Sequence, residues 1–301
     1  MRRNAAIRVA VLAALVAGGA ARPAAGQSNV KVVVSEVVDD RISDQMMSGG
    51  LVLALNLEGE GLDAVKSARF RMKEAKADTG QSLLDPKAKA PDFTDRNVNG
   101  GQVQVSLASP PREASKVGVS GVAELFLPAR DPASVVKVPG FLSALDRPLA
   151  SKGLKANKVE VTVLSKERYA EEQKKNRLDE KKIALIRAEG KERGMKAEEI
   201  DALVETAKAF DGMGGGPLPE NVLLLKVGRP GYEKVQELWV ETAAGEKIDS
   251  GSSQGSGSED AMLKQIEMRS PLPKDAVLVF SLFTDKAIVS VPFELKEVVL
   301  P

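Results

Sequence analysis

The chain has 301 residues, with 43 basic and 42 acidic side chains, no histidine and no cysteine. Because the charges nearly balance, the protein lacks the strong basic field that would attract nucleic acid or an anionic membrane. The missing histidine removes the commonest general base, the commonest zinc ligand and the usual partner of a nucleophilic serine, and the missing cysteine excludes disulfides. The composition therefore implies no cofactor and no metal site.

Residues 1–26 have the pattern of a cleavable signal peptide. Basic residues precede a short apolar run at residues 9–17, and the small residues at 24–26 fit cleavage before Gln27. The apolar run is far shorter than the roughly 20 residues of a membrane-spanning helix. We therefore expect an exported protein, in the periplasm or outside the cell, with no membrane span after cleavage. Four of the basic residues and no acidic residue lie in this segment, so the mature chain has a net charge near −3.

Residues 27–165 predict a first β-sandwich domain. Short segments of alternating β-branched and polar residues are separated by Gly, Pro and Asp turns, which is typical of antiparallel sandwiches. The predicted strands lie at residues 30–38, 51–57, 68–73, 102–107, 117–127, 134–138 and 159–164.

Residues 166–219 predict a charged helical hairpin followed by a Gly/Pro-rich linker at 211–219. A first helix ends near Gly190 and Gly194, and the second has apolar residues at helical spacing, so an αα-hairpin fits the pattern. The residues of this apolar stripe are Ile200, Leu203, Val204, Ala207 and Phe210.

The apolar stripe has two interpretations that the sequence leaves open. It packs on the sister helix or on a sandwich, or it docks a partner. For the second case the candidate partner-binding residues are Ile200, Leu203, Val204 and Phe210, and the expected partner is a protein or another component of the cell envelope.

Residues 220–301 predict a second β-sandwich domain. Its strands are expected at residues 222–227, 235–240, 262–268, 276–283 and 287–295. The Gly/Ser-rich stretch at 251–258 is expected to be mobile rather than a strand. The single tryptophan, Trp239, lies in an alternating strand and is expected in the core.

Two series of segments repeat in the same order along the chain. Residues 104–111, 122–127 and 136–141 match residues 264–273, 277–282 and 289–293, with a Ser-Pro turn after the first segment and a Val-Pro end in the third. The pattern is similar to immunoglobulin-like sandwiches. The predicted fold class is mainly β, with two immunoglobulin-like antiparallel β-sandwich domains related by internal duplication and an inserted αα-hairpin.

Two triplets, Asp78-Thr-Gly and Asp249-Ser-Gly, resemble the active-site pair of aspartic peptidases. That mechanism needs neither histidine nor cysteine, because two carboxylates share a proton and activate water. Against this resemblance, the residues before Asp78 are polar, and Gly80 matches Gly245 in the repeat, so the two aspartates are not equivalent. Asp-Thr-Gly is also an ordinary hairpin turn.

Other chemical patterns are weaker still. Acidic residues near Asp39 and Asp85 lack the signature of a calcium loop. Ser134 and Lys137 match Ser-x-x-Lys, but in a strand two residues at this spacing point to opposite faces. The main expectation is therefore an exported, non-catalytic binding or scaffold protein of unknown ligand, and the alternative is a carboxylate-dependent hydrolase using Asp78 and Asp249.

Overall fold

A computed structural model describes residues 30–40, 50–85, 91–95, 102–213, 218–258 and 260–301. The predicted signal peptide lies outside these residues, as does the part of the predicted linker at 214–217. The described part of the chain is mainly β with antiparallel sheets, which confirms the fold class at that level.

Within the described residues the chain forms fourteen strands: β1 (Lys31–Asp40), β2 (Gly50–Glu58), β3 (Ser67–Ala77), β4 (Thr94–Asp95), β5 (Val103–Ala108), β6 (Lys116–Phe126), β7 (Val135–Pro139), β8 (Val161–Val163), β9 (Val222–Gly228), β10 (Val235–Glu241), β11 (Ser250–Gly257), β12 (Ala261–Met268), β13 (Val277–Leu282) and β14 (Ile288–Val299). The α-helices in the same residues are α1 (Lys152–Ala156), α2 (Lys166–Asn176), α3 (Glu180–Glu192), α4 (Ala197–Met213) and α5 (Arg229–Tyr232). Short 3₁₀ turns connect several of these elements.

The chain divides into two compact units. The first contains the described residues up to Ser134 together with Phe283–Pro301, and the second is Val135–Leu282. These boundaries differ from the segments expected from the sequence. Strands β7 and β8 belong to the second unit rather than the first, and the C-terminal β14 belongs to the first.

Each unit contains two antiparallel sheets. In the first unit the strand orders are β1-β2-β5 and β14-β6-β3-β4. In the second unit they are β11-β12-β9-β8 and β10-β13-β7. The helical residues α2 to α4 lie between β8 and β9 in the chain.

A hydrophobic core joins the two sheets of each unit. In the first unit Leu53 of β2 and Phe70 of β3 belong to one buried cluster, so the inner faces of the two sheets pack together. In the second unit Leu225 of β9 and Phe280 of β13 belong to one cluster in the same way. Buried and partly buried positions alternate along β6, because one face of this strand meets the core.

Helix α2 covers the outer face of the β11-β12-β9-β8 sheet. Its Tyr169 is buried in a small cluster with Leu224 of β9 and Leu263 of β12, whose side chains point away from the main core. The charge-rich start of the helical segment is therefore a packed helix, and all of its charged residues except Glu172 are exposed.

The Gly/Ser-rich stretch forms a strand, contrary to the expectation of a mobile loop. All eight residues of β11 are exposed, and Ser253 to Gly257 pair with successive residues of β12 from Ile266 to Met262. Gly and Ser have weak intrinsic strand preference, so the pairing with β12 imposes the extended conformation.

Candidate functional site

The helical hairpin is formed by α3 and α4, within the predicted segment 166–219, and α2 is a separate helix before it that the prediction did not distinguish. Asp179 caps the start of α3, where its Oδ1 accepts a hydrogen bond from the backbone N–H of Lys182 at 2.8 Å. The turn closes through backbone hydrogen bonds from Gly194 to Lys191 and from Met195 to Gly190, each 3.0 Å long. The four-residue connection makes the two helices antiparallel neighbours.

The two helices approach closely where Gly190 of α3 meets Ile200 of α4. A Cβ atom at Gly190 would lie 2.7 Å from Ile200 Cγ1, so any other residue at this position would force the Ile200 side chain or a helix to shift. Ile200 is 4% exposed and Val204 is 1% exposed. Two of the four candidate partner-binding residues are therefore in the interior, and they are not available to a partner while the hairpin keeps this packing.

The two sides of the hairpin differ in character. On one side Arg187 Nη2 and Asp201 Oδ1 form an ion pair between the helices at 3.1 Å. Leu185 and Leu203 lie two residues from this pair, and two residues turn a helix by about 200°. Both leucines therefore lie on the other side, where Leu185 is 53% exposed and Leu203 is 45% exposed.

We call this surface, defined by Leu185 and Leu203, the leucine side of the hairpin. Leu185 is not among the candidate partner-binding residues that the sequence predicts. Leu185 lies on the other helix, so the stripe along α4 does not identify it, and only the packing of the two helices assigns it to the same side as Leu203. Phe210 lies in α4, and its side chain is outside the described part of the structure.

Glu172 anchors α2, the helix that precedes the hairpin, to the sheet beneath it. Lys226 of β9 donates a hydrogen bond to Glu172 Oε2 at 2.8 Å, and Lys175 donates to Oε1 at 2.8 Å. Arg168 lies 3.6 Å from the same carboxylate. Hydrogen bonds from Lys175 and Lys226 lower the pKa of Glu172 to about 2, although burial alone would raise it.

Asp78 has a structural role in the turn after β3. Its Oδ2 accepts hydrogen bonds from Ser115 Oγ at 2.7 Å and from the backbone N–H groups of Ser115 and Lys116, both at 3.1 Å. The side-chain hydrogen bond from Ser115 and these backbone donors lower the pKa of Asp78. Asp249 belongs to the other unit, immediately before β11. A carboxylate with this many donors is poorly suited to share a proton.

Trp239 lies on the face of its sheet opposite the core, which corrects the expectation that it is a core residue. The neighbouring strand position Val240 belongs to the buried cluster, whereas the Trp239 indole N–H donates to Glu241 Oε1 at 2.8 Å. Lys137 of β7 donates to Glu241 Oε2 at 2.5 Å. Burial favours a raised pKa at Glu241, but hydrogen bonds from Lys137 and Trp239 outweigh it and hold that pKa below its ordinary value.

Ser134 and Lys137 have separate partners. Ser134 Oγ donates to the carbonyl of Pro128 at 2.9 Å, while Lys137 is paired with Glu241. Because each side chain bonds to a different partner, Lys137 is not placed to act as a base on the Ser134 hydroxyl.

In the part of the chain that the structure describes, no group of three or more acidic residues is placed to hold a metal ion. No helix among the described residues is long and apolar enough to cross a membrane. No protein-family model matches the chain, and searches of curated proteins and of solved structures find no match either.

Proposed function

We propose that this is an exported, non-catalytic binding or scaffold protein that acts in the periplasm or outside the cell and docks a protein partner through the leucine side of its hairpin. The observation that carries the proposal is the exposure of Leu185 and Leu203 on one side, while the contact between the helices is made by other residues. The hairpin therefore does not need these two leucines for its own packing. Large apolar side chains that stay exposed on one side of a hairpin favour an interaction surface there.

The scaffold that carries the hairpin is, in this proposal, a pair of immunoglobulin-like β-sandwiches that arose by internal duplication. The strand order of one sheet supports it, because β1-β2-β5 of the first unit corresponds to β8-β9-β12 of the second. The registers correspond as well. Between the first two strands, Val32 pairs with Leu57 in the first unit as Val161 pairs with Val227 in the second, and Val34 pairs with Leu55 as Val163 pairs with Leu225. Between the second and third strands of the sheet, Leu53 pairs with Val105 as Leu223 pairs with Ile266.

The other sheet of each unit follows the same rule. The order β3-β6-β14 in the first unit corresponds to β10-β13-β7 in the second. In immunoglobulin-like folds one sheet has strands A, B and E and the other has C, F and G, which is the order that both units follow. The fourth strand differs, since β4 pairs with β3 whereas β11 pairs with β12.

The hydrolase alternative gains no support from the described residues. The Asp78 carboxylate accepts several hydrogen bonds from Ser115 and Lys116, and Glu241 has both oxygens engaged. A general base needs a free lone pair directed at its substrate.

The docking proposal is tested with the double variant Leu185→Lys/Leu203→Lys. The matched control is Ala188→Lys/Ala202→Lys, which adds the same charge at two exposed alanines on the same helices. Each mature chain is immobilised and exposed to a solubilised envelope fraction, and captured proteins are quantified by mass spectrometry. We expect the leucine variant to lose a partner that the wild type and the control retain, by about ten-fold or more, as for an interface hot spot. Equal capture by all three chains, with unchanged circular dichroism, contradicts docking at the leucine side.

A further inference from the structure

Strands β7 and β14 are similar in sequence but belong to different units. β7 has the sequence Val-Val-Lys-Val-Pro and β14 begins Ile-Val-Ser-Val-Pro. Strands β6 and β13 are the corresponding strands of the two proposed repeats. In the chain, β7 follows β6 and β14 follows β13. Yet β7 pairs with β13, and β14 pairs with β6. Each strand therefore pairs with the segment of the other repeat.

The registers of these two pairings are identical. In the β7–β13 pairing, the partners are Pro139 and Val277, Val138 and Leu278, Lys137 and Val279, Val136 and Phe280, and Val135 and Ser281. In the β14–β6 pairing, the partners at the corresponding positions are Pro292 and Val122, Val291 and Ala123, Ser290 and Glu124, Val289 and Leu125, and Ile288 and Phe126. A chance pairing of two alternating strands fixes which face is buried, but it does not fix this position-by-position agreement.

We propose that β7 and β14 are the equivalent last strands of the two repeats and that the repeats have exchanged them. The proposal rests on the duplication proposed above. In it, the edge of β6 is an acceptor site for an extended segment of alternating apolar residues, and β14 is the segment that binds there. The edge of β13 is the corresponding acceptor site for β7.

Burial explains why each acceptor edge needs its strand. β14 adds Leu295 and Val298, both almost fully buried, to the core of the first unit. β7 adds Val136 and Val138 to the core of the second unit. Without β14 the first sheet keeps β6, β3 and β4, and without β7 the second keeps only β13 and β10. Each sheet then has an unpaired edge and an open core, and the ligand that fits is an extended peptide that supplies both backbone hydrogen bonds and apolar side chains.

The exchange also accounts for the positions of the unit boundaries. The chain passes from the first unit to the second between Ser134 and Val135, directly before β7. It returns between Leu282 and Phe283, directly after β13. Both transitions fall between the sixth and seventh strands of a repeat, which is the position that an exchange of last strands requires.

Engineered disulfides in the full chain test the exchange. The chain has no cysteine, so an introduced pair can form only one intramolecular bond. Ser120 of β6 lies opposite Glu294 of β14, at a separation that antiparallel partners share and that a disulfide can span. In an unexchanged arrangement Glu294 would instead lie beside Asp275, the residue equivalent to Ser120 before β13.

The pair Ser120→Cys/Glu294→Cys is therefore compared with Asp275→Cys/Glu294→Cys under mild oxidation, with free thiols and mass measured on the monomer. We expect the first variant to lose its free thiols and the second to keep them. Lys116→Cys/Val299→Cys, at the other end of the β6–β14 pairing, provides a second variant in case the first does not fold.

Free thiols in both β6–β14 variants overturn the proposal. A disulfide in Asp275→Cys/Glu294→Cys also overturns it, because the last strand would then pair within its own repeat, and the duplication itself would stand. None of these variants changes Leu185 or Leu203, so a failed exchange and a failed docking proposal give separate results.

Discussion

Replacing Glu172 by Gln is the sharpest test of how the helical segment is held on its sheet. The side chain is 9% exposed, and its carboxylate accepts hydrogen bonds from Lys175 and Lys226. Gln keeps the shape of the side chain but removes the charge, which leaves the Lys226 ammonium without its carboxylate partner. The Gln variant therefore loses the attraction between the carboxylate and both lysines, and solvent moderates this loss because Lys226 is 37% exposed and Lys175 is 60% exposed.

The magnitude follows from the pKa of Glu172, which is lowered from 4.5 to about 2. A difference of this size corresponds to about 3 kcal/mol of stabilisation at neutral pH, reduced to about 2 kcal/mol by solvent around the more exposed lysines. Because the folded pKa lies below the unfolded pKa, the contribution is complete above pH 4.5 and is lost as the pH falls toward 2. The variant and the wild type should therefore converge in stability near pH 2.

Trp239 is the only tryptophan and lies in the same unit as Glu172, so its fluorescence during urea unfolding reports on that unit. The matched control is Glu171→Gln, on the same helix, where a 59% exposed side chain pairs with Arg168. We expect the control to change the free energy of unfolding by less than about 1 kcal/mol. A Glu172→Gln effect no larger than that of the control, or one that is the same at pH 7 and pH 2.5, would refute the reasoning.

Two further predictions concern close packing and turn geometry. Gly190→Leu should overpack the contact with Ile200, cost about 1 to 3 kcal/mol and reduce helical circular dichroism, and Ile200→Ala in the same chain should restore part of the loss. A Leu variant that keeps wild-type helicity and stability argues against the close approach of α3 and α4. Gly80 and Gly245 have φ values of 89° and 88° in hairpin turns with the same backbone hydrogen-bond pattern, so Ala at either position should cost about 1 kcal/mol. Denaturant unfolding measures the stability of the Gly190 and glycine-turn variants, and a cost at only one of the two turns argues against a shared turn geometry.

The fold class and most strands follow from local pattern. Alternation along residues such as Val117 to Leu125 reports one buried face, and that requirement is the same in any antiparallel sandwich. The pattern failed at β11, because Ser and Gly carry no signal for burial and the strand exists through its partner β12. It also misplaced Trp239, since alternation identifies two faces of a strand but does not say which of them meets the core.

The candidate site was predictable only in part. The spacing of Ile200, Leu203 and Val204 indicates a helix face, and the structure places all three on α4. A stripe on one helix does not say which of its members a second helix covers. Ile200 is buried where it meets Gly190, and the pairing of the two helices leaves both Leu203 and Leu185 exposed.

The sequence by itself determined the mainly β character, the two helices of the hairpin and the glycine turns, because each depends on residues close together in the chain. The tertiary structure decided which strands pair. β7 and β14 have the same alternation and the same Val-Pro ending, so each fits the edge of β6 or of β13 equally well on local grounds. Long-range packing alone completes the first unit with the C-terminal strand, whose Leu295 and Val298 fill its core.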